Sequence, residues 1–384
     1  MSLRVLHATT TFAPAYRVGG PTYSLEGLVV HLCKKGASVR VLTTNSDGWD
    51  LLPPMPHGWV DWKGVPVRYL KRWAAPAETP EFFVHALRET SKADVVHVSG
   101  LYSTSPVQAL VAAKLLRRPV VFSPRGTLQP AALDFGPSSK KRAWLRVMRG
   151  LLRTVALFHA TSDIEAAAIV RVLGPAVRVE VIPNGTDLPV ESTVNAIRSG
   201  RSARPIIGFL GRIHRIKALE NLIAAGGLLR NRGFDFEMHL AGPFEDPSYR
   251  SELDLAARHA VISDRLTFLG EVERDTKTAF YARSRLIVLP SRSENFGNAT
   301  IEALAHGTPV VASRGTPWAQ LEKWGAGHWV DNSPASLASA IEVYLRDEAA
   351  ALRAGELGRR QVESHYSWES VAGSMMSAYR RLLP

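Results

Sequence analysis

Glu294 and Glu302 are separated by seven residues in Ser291-Arg-Ser-Glu294-Asn-Phe-Gly297-Asn-Ala-Thr-Ile-Glu302-Ala-Leu-Ala-His-Gly307. The apolar run Leu286-Ile-Val-Leu before them reads as a buried strand. The segment itself reads as a Gly-containing turn entering a short helix that Gly307 ends. One carboxylate is therefore expected on the loop and the other inside the helix, with the first amides of that helix between them. Such amides seat a phosphate, and the flanking carboxylates accept hydroxyl hydrogen bonds. The combination has the polarity of a sugar nucleotide. A second cluster, Gly211-Arg212-Ile-His-Arg-Ile-Lys217-Ala218, falls in a loop between a strand and a helix. There a planar guanidinium and an ammonium can together neutralise a diphosphate.

Three further places put reactive groups at the ends of expected strands. Arg17-Val-Gly19-Gly20 follows the first strand and precedes the first helix, where glycines let backbone approach an anion. His97-Val-Ser-Gly-Leu-Tyr102 and Ser123-Pro-Arg125-Gly126 follow later strands, so His97, Tyr102 and Arg125 are expected to point beyond the sheet. No G-x-G-x-x-G follows the first strand, which disfavours a dinucleotide-dependent oxidoreductase.

The elements that must position these groups alternate. Short β-rich runs at 5–8, 38–43, 67–70, 95–98 and 120–123 are interleaved with helical stretches such as 22–35 and 107–116, and a second such series begins at Pro205. Strand and helix in turn imply parallel sheets covered on both faces. The chain of 384 residues suits two domains. The expected division is 1–190, a polar linker at 191–204, a second domain at 205–366, and a helix at 367–384 returning to the first domain. Ligands of such sheets lie beyond the carboxyl ends of the strands, which predicts a site in the cleft between two Rossmann-like domains.

The Glu pair and the Arg/Lys loop resemble the E-x7-E signature and the Gly-Arg…Lys loop of glycosyltransferase family 4, the retaining sugar transferases of the GT-B fold. The resemblance runs from about residue 5 to 370. It implies an α/β GT-B architecture whose first domain faces the acceptor and whose second holds a nucleotide-sugar donor. It places Glu294 at the donor sugar, Glu302 at the ribose, and Arg212 and Lys217 on the leaving diphosphate. Amides near Phe296, Gly297 and Asn298 would position the sugar, and Gly19 and Gly20 would meet a phosphate or the acceptor. Arg17, His97, Tyr102 and Arg125 are left as acceptor- or donor-side candidates, Arg125 standing where the family often has His. Ala218 replaces the family's usual Gly. Transfer with retention is implied, the departing diphosphate helping to deprotonate the acceptor hydroxyl. With no D-x-D element present, neither a metal nor another cofactor is expected.

Charge and cysteine content narrow the setting. Cys33 is the single cysteine, which excludes an intramolecular disulfide and a thiolate zinc site and fits a reducing cytoplasm. The N-terminal run reads as a strand rather than a secretion signal, and no segment is expected to span a membrane. The net charge is +12, and residues 1–190 hold 23 Lys and Arg against 13 Asp and Glu. The densest part, Lys140 to Arg153, has helical spacing with apolar residues interleaved. It suits either a solvated face or a peripheral contact with an anionic membrane at the inner face. Nucleic acid is disfavoured because no binding motif accompanies the charge. A saccharide or lipid-linked saccharide acceptor is the main expectation. A soluble small-molecule acceptor and a non-catalytic sugar-nucleotide-binding scaffold are the alternatives.

Overall fold

The computed structural model describes residues 2–48, 50–73, 79–134, 138–272 and 274–383, and these divide into two compact α/β units. Unit 1 comprises residues 1–185 and 368–384, and unit 2 residues 186–367.

In unit 1 the strands are β1 (Arg4–Thr9), β2 (Ser38–Thr44), β3 (Ser46–Asp47), β4 (Asp50–Leu51), β5 (Val60–Trp62), β6 (Val65–Leu70), β7 (Val95–Ser99), β8 (Val120–Ser123), β9 (Leu157–Ala160) and β10 (Val179–Val181). Eight of them form one sheet in the order β10-β9-β8-β7-β1-β2-β6-β5, with β3 and β4 a separate pair. Every pairing in the large sheet is parallel except β5 with β6. Helices cover both faces, so β7 and β8 are buried along their whole length and read as unbroken apolar runs. The helix Trp368–Arg380 lies against the helix Gly20–Lys34. Trp368 explains Gly27, where a Cβ would stand 2.0 Å from the indole.

Unit 2 holds β11 (Ile206–Leu210), β12 (Glu237–Ala241), β13 (Leu266–Gly270), β14 (Ser284–Leu289), β15 (Val310–Ser313) and β16 (Gly327–Val330) in the order β13-β12-β11-β14-β15-β16. All are parallel. Counted from its own first strand this is the 3-2-1-4-5-6 order of the doubly wound fold. The order reverses between β11 and β14.

The polar stretch 191–204, expected as a linker, belongs to unit 2 and contains the helix Glu191–Ser199. Its only buried apolar residue is Val194, too little for an apolar period to show. It is held instead by arginines. Arg198 donates to the carbonyls of His306 (2.6 Å) and Gly307 (2.9 Å), and Arg201 to those of Ala282 (2.9 Å) and Ser284 (2.6 Å). The carbonyls at a helix C-terminus have no partner within their own helix, and these two side chains supply one.

A polar row crosses the apolar sheet of unit 1. His7 on β1, His97 on β7, Ser123 on β8 and His159 on β9 are all buried. His159 Nε2 donates to the carbonyl of Ile182 (2.8 Å), so its Nδ1 accepts from the Ser123 hydroxyl (2.7 Å). Ser123 in turn accepts from His97 Nε2 (2.6 Å), and His97 Nδ1 accepts from the Tyr379 hydroxyl (2.6 Å). The chain of bonds runs in one direction and fixes each ring as a neutral tautomer. Burial above all pushes the three histidines below the usual imidazole value, and that of His159 down to about 3. The Arg125 charge adds to the shift in His7 and His159.

Because the unfolded chain takes up these protons near the ordinary value of 6.5 and the folded chain does not, stability is retained above that pH and lost as pH falls below it. The loss is about 1.4 kcal/mol per pH unit for each histidine. Urea unfolding of unit 1 followed from about pH 7.5 down to about pH 5 should show this decline. It should be shallower by one proton's share in His159→Gln, and identical slopes in the two proteins would refute the assignment.

Candidate functional site

Adjacent strands β11 and β14 end side by side at the point where the sheet order of unit 2 reverses, and both charged motifs leave from those ends. After β11, the His214 side chain accepts from the Ile216 amide (3.2 Å) and opens a single turn, Arg215–Lys217. Ala218 closes that turn in the left-handed region (φ 49, ψ 44) and begins the helix Leu219–Asn231. A glycine would adopt this conformation freely, whereas alanine does so at a cost of about 1 kcal/mol. The turn directs Lys217 at Glu294.

Lys217 Nζ and Glu294 Oε1 form an ion pair, each side chain only 15% exposed. Ser291 Oγ donates to the same oxygen at 3.2 Å. The Glu294 loop is tied on both sides. The Arg292 amide donates to the carbonyl of Ile216 (2.8 Å), and the Glu294 amide to that of Gly315 (2.9 Å) in the loop after β15. Gly315 is the close-packing point. A Cβ there would stand 2.4 Å from the carbonyl oxygens of Ser291 and Arg292. Sequence reading missed Ser291, Arg292 and Gly315, since only the pairing of β14 with β15 brings their loops together.

Glu302 lies in the helix Asn298–Ala305, one glutamate on the loop and one in the helix. Its Oε2 accepts from the Tyr281 hydroxyl (2.7 Å) and meets Lys277 Nζ (2.7 Å). Tyr281 and Lys277 thus converge on one oxygen. Burial first, and then the charge of Glu302, push the Tyr281 phenol well above its usual value, which keeps it a proton donor. Gly297 is the N-cap of the helix, in the left-handed region (φ 81, ψ 68), and being glycine it brings no capping side chain of its own. Asn298 is its first residue. Phe296 is a core residue packed edge-on against Trp318, whose indole N–H donates to the Phe296 carbonyl. Arg212 is drawn to the end of β12 by an ion pair with Glu245, both about 43% exposed. The structure thus joins Lys217 to Glu294 and holds Arg212 on a different carboxylate.

In unit 1, Gly19 (φ 81) precedes the helix Gly20–Lys34, which Gly20 begins. Arg17 faces the β3–β4 pair, its amide donating to Asp47 (3.1 Å) and its guanidinium paired with Asp50. Tyr102 donates to the carbonyl of Thr127 (3.3 Å), with Lys141 Nζ 5.7 Å from its ring centroid. Burial pushes its phenol up to about 12. His97 departs from the expectation of a side chain reaching beyond the sheet. It sits third in the five residues of β7, fully buried, with both ring nitrogens engaged by Tyr379 and Ser123. Arg125 does lie past its strand, at φ 55.

Residues 19–185 match the family described as "Glycosyl transferase 4-like domain", and residues 204–347 match "Glycosyl transferases group 1". The lipopolysaccharide core biosynthesis mannosyltransferase LpcC of Rhizobium leguminosarum bv. viciae is 31% identical over 67% of this chain and 73% of its own length. The chain belongs to the group 1, GT4-like glycosyltransferases. A D-inositol 3-phosphate glycosyltransferase of Paenarthrobacter aurescens is 27% identical over 99% of this chain and 97% of its own. The fold is also that of sucrose-phosphate synthase from Thermosynechococcus elongatus (TM-score 0.76, 23% identity, 100% of this chain and 99% of that one). Anabaena HepE in complex with UDP-glucose is equally similar (TM-score 0.76, 18% identity, 99% and 100%). These are GT-B structures, and this glycosyltransferase has the same two-domain α/β fold.

In this glycosyltransferase, Gly315→Ala would force the Ser291–Glu294 loop off the end of β15. We expect transfer activity to fall by about tenfold or more, because a displacement of about 1 Å at reacting groups costs that much or beyond. Thermal unfolding should drop by only a few degrees. Unchanged kcat in the alanine variant would show that the loop does not depend on this contact.

Proposed function

We propose that the chain is a retaining, metal-independent hexosyltransferase that moves a sugar from a nucleotide-diphosphate sugar to a hydroxyl acceptor. The observation that carries this reading is the Lys217–Glu294 pair at the switch point of unit 2. It sets a phosphate-binding cation against a hydroxyl-binding carboxylate in front of a helix whose N-cap is a glycine. The UDP-glucose held by Anabaena HepE supports a nucleotide-sugar donor.

In this reading Lys217 and Arg212 take the diphosphate, Arg212 exchanging Glu245 for a phosphate oxygen. Glu294 accepts from the sugar hydroxyls. Glu302, held through Oε2 by Tyr281 and Lys277, presents Oε1 to the ribose. As the anomeric C–O bond breaks, its electron pair passes to the diphosphate oxygen, and the two cations stabilise the growing charge. The acceptor oxygen bonds to the same face of the anomeric carbon, and its proton passes to the departing phosphate oxygen. No protein nucleophile and no metal enters the scheme.

For the acceptor we infer a lipid-linked saccharide, a reading that the lipopolysaccharide core mannosyltransferase of R. leguminosarum supports. The basic helix Ser138–Leu152 supports it too. Lys140, Arg142, Arg146 and Arg149 lie on it beside Val147, which is 76% exposed, and the helix carries no acidic residue. Its Trp144, Leu145 and Met148 pack inward. Such a face fits an anionic bilayer surface. No described helix is long and apolar enough to cross a membrane. A soluble acceptor is the competing reading, supported by the inositol phosphate glycosyltransferase of P. aurescens.

A thermal-shift screen with UDP-, GDP-, ADP- and dTDP-sugars should select one donor. With it, Lys217→Ala and Glu294→Ala should each lose about 10²–10³ in kcat, and NMR of the product should show the donor's anomeric configuration. Product of inverted configuration, or full turnover in Glu294→Ala, would overturn the mechanism. Separately, the protein should sediment with anionic liposomes at low salt, and Arg146→Glu with Arg149→Glu should release it. Equal recovery of wild type and variant in the supernatant would favour the soluble acceptor.

A further inference from the structure

Lys217 and Glu294 each have a charged neighbour that takes no part in the transfer step. Arg292 lies two places before Glu294, and Glu220 three places after Lys217. Their side chains meet, Arg292 Nη2 donating to Glu220 Oε1 at 2.5 Å. The loops that carry Lys217 and Glu294 are thus joined twice by opposite charges, once through those residues and once through their neighbours.

The second link is anchored at both ends. Glu220 lies in the first turn of the helix Leu219–Asn231, and its Oε2 accepts from the Tyr249 hydroxyl. Tyr249 is buried in the helix Pro247–His259, with the Arg215 guanidinium 5.1 Å from its ring centroid. Its oxygen also accepts from the Leu219 amide (3.1 Å), one of the amides that a helix leaves without a partner of its own. Burial first, and then the bond to Glu220, push the phenol up, so it remains a donor. Arg292 is fixed by the turn that aims Lys217. Its Nη1 donates to the Arg215 carbonyl (3.3 Å) and its amide to the Ile216 carbonyl (2.8 Å). The path Tyr249–Glu220–Arg292 therefore runs from the base of the Lys217 turn into the Glu294 loop without passing through Lys217 or Glu294.

Donor binding gives this path its work. In the transferase reading, on which this inference rests, Lys217 takes the diphosphate and Glu294 the sugar hydroxyls. Each exchanges the other for a different part of the ligand, and the direct link between the two loops is given up. Ala218 adds to the demand, because a left-handed alanine leaves the Lys217 turn strained. We propose that Glu220, Arg292 and Tyr249 are positioning residues, a brace that keeps the Lys217 and Glu294 loops in register when a sugar nucleotide takes the place of their ion pair. A nucleoside diphosphate alone engages only the Lys217 side and makes no use of the brace. Exposed ion pairs add little to stability. With Arg292 57% and Glu220 32% exposed, this one is suited to holding a geometry rather than the fold.

The test is the ligand-induced thermal shift of the full chain, compared among wild type, Glu220→Gln, Arg292→Gln, the double variant, Tyr249→Phe and, as a control, Lys217→Ala. The probes are UDP-glucose, GDP-mannose, ADP-glucose and dTDP-glucose, each beside its free nucleoside diphosphate. For the pair that wild type binds, the dissociation constant of the sugar nucleotide should rise about tenfold in each brace variant, and that of the diphosphate should be little changed. In Lys217→Ala both should rise. The double variant should be no weaker than either single one, because the same link is lost in all three. Without ligand, Glu220→Gln and Arg292→Gln should unfold within about 2 °C of wild type, and Arg292→Lys should recover part of the sugar-nucleotide affinity.

Equal weakening of both ligands, or a lower ligand-free midpoint with an unaltered sugar-nucleotide response, would make these residues structural and overturn the proposal. Additive losses in Glu220→Gln and Arg292→Gln would overturn it equally, since two independent contacts are not a brace. If wild type responds to none of the sugar nucleotides, the transferase reading fails and the brace with it. If wild type and Lys217→Ala behave as that reading requires and the brace variants match wild type, the proposal alone fails.

Discussion

The ion pair of Lys217 with Glu294 spans 77 positions of sequence, and the chemistry proposed for unit 2 depends on closing that gap. Sheet order closes it. β11 and β14 are neighbours in space although β12 and β13 lie between them in the chain, so two loops of opposite charge emerge side by side. The pairing of β14 with β15 then brings Gly315 under the Glu294 loop, and a hydrogen bond from the Glu294 amide fixes its height. Removal of any one of these three strands from its place would separate the charges.

Unit 1 meets a different constraint. Its central strands are buried on both faces, yet they carry His7, His97, Ser123 and His159 in a row. Such groups are tolerated only when each donor finds an acceptor, and the one-directional run from Tyr379 to Ile182 meets that condition for all but His7 Nδ1. Tyr379 comes from the last helix of the chain, so the polar row also anchors that helix to its sheet. The same row places three neutral histidines beside Arg125, whose charge is answered by that of Glu165.

Much of this architecture was legible because it follows from short-range rules. Alternating apolar runs and amphipathic stretches mark parallel strands and their crossover helices, and the glutamate of a loop can be told from the glutamate of a helix by the glycine between them. The stretch 191–204 was not legible as a helix of unit 2. Its attachment comes from Arg198 and Arg201 reaching carbonyls about 80 to 110 residues away, and long-range polar contacts leave no period in the sequence. His97 misled for a related reason. A histidine inside a buried strand and a histidine just beyond it look alike until the partners, Tyr379 and Ser123, are known.

By itself the sequence determined the two α/β series and the family, and it offered the candidate residues for a sugar-nucleotide site, since residue type and local spacing carry that information. The tertiary structure decided which of them act together. It placed Lys217 against Glu294 and Arg212 against Glu245, and it fixed the Glu165 carboxylate on the Gly126 amide and the Thr161 hydroxyl. Charge pairing falls off within a few ångströms, and distances on that scale between remote residues are set by strand order and loop packing.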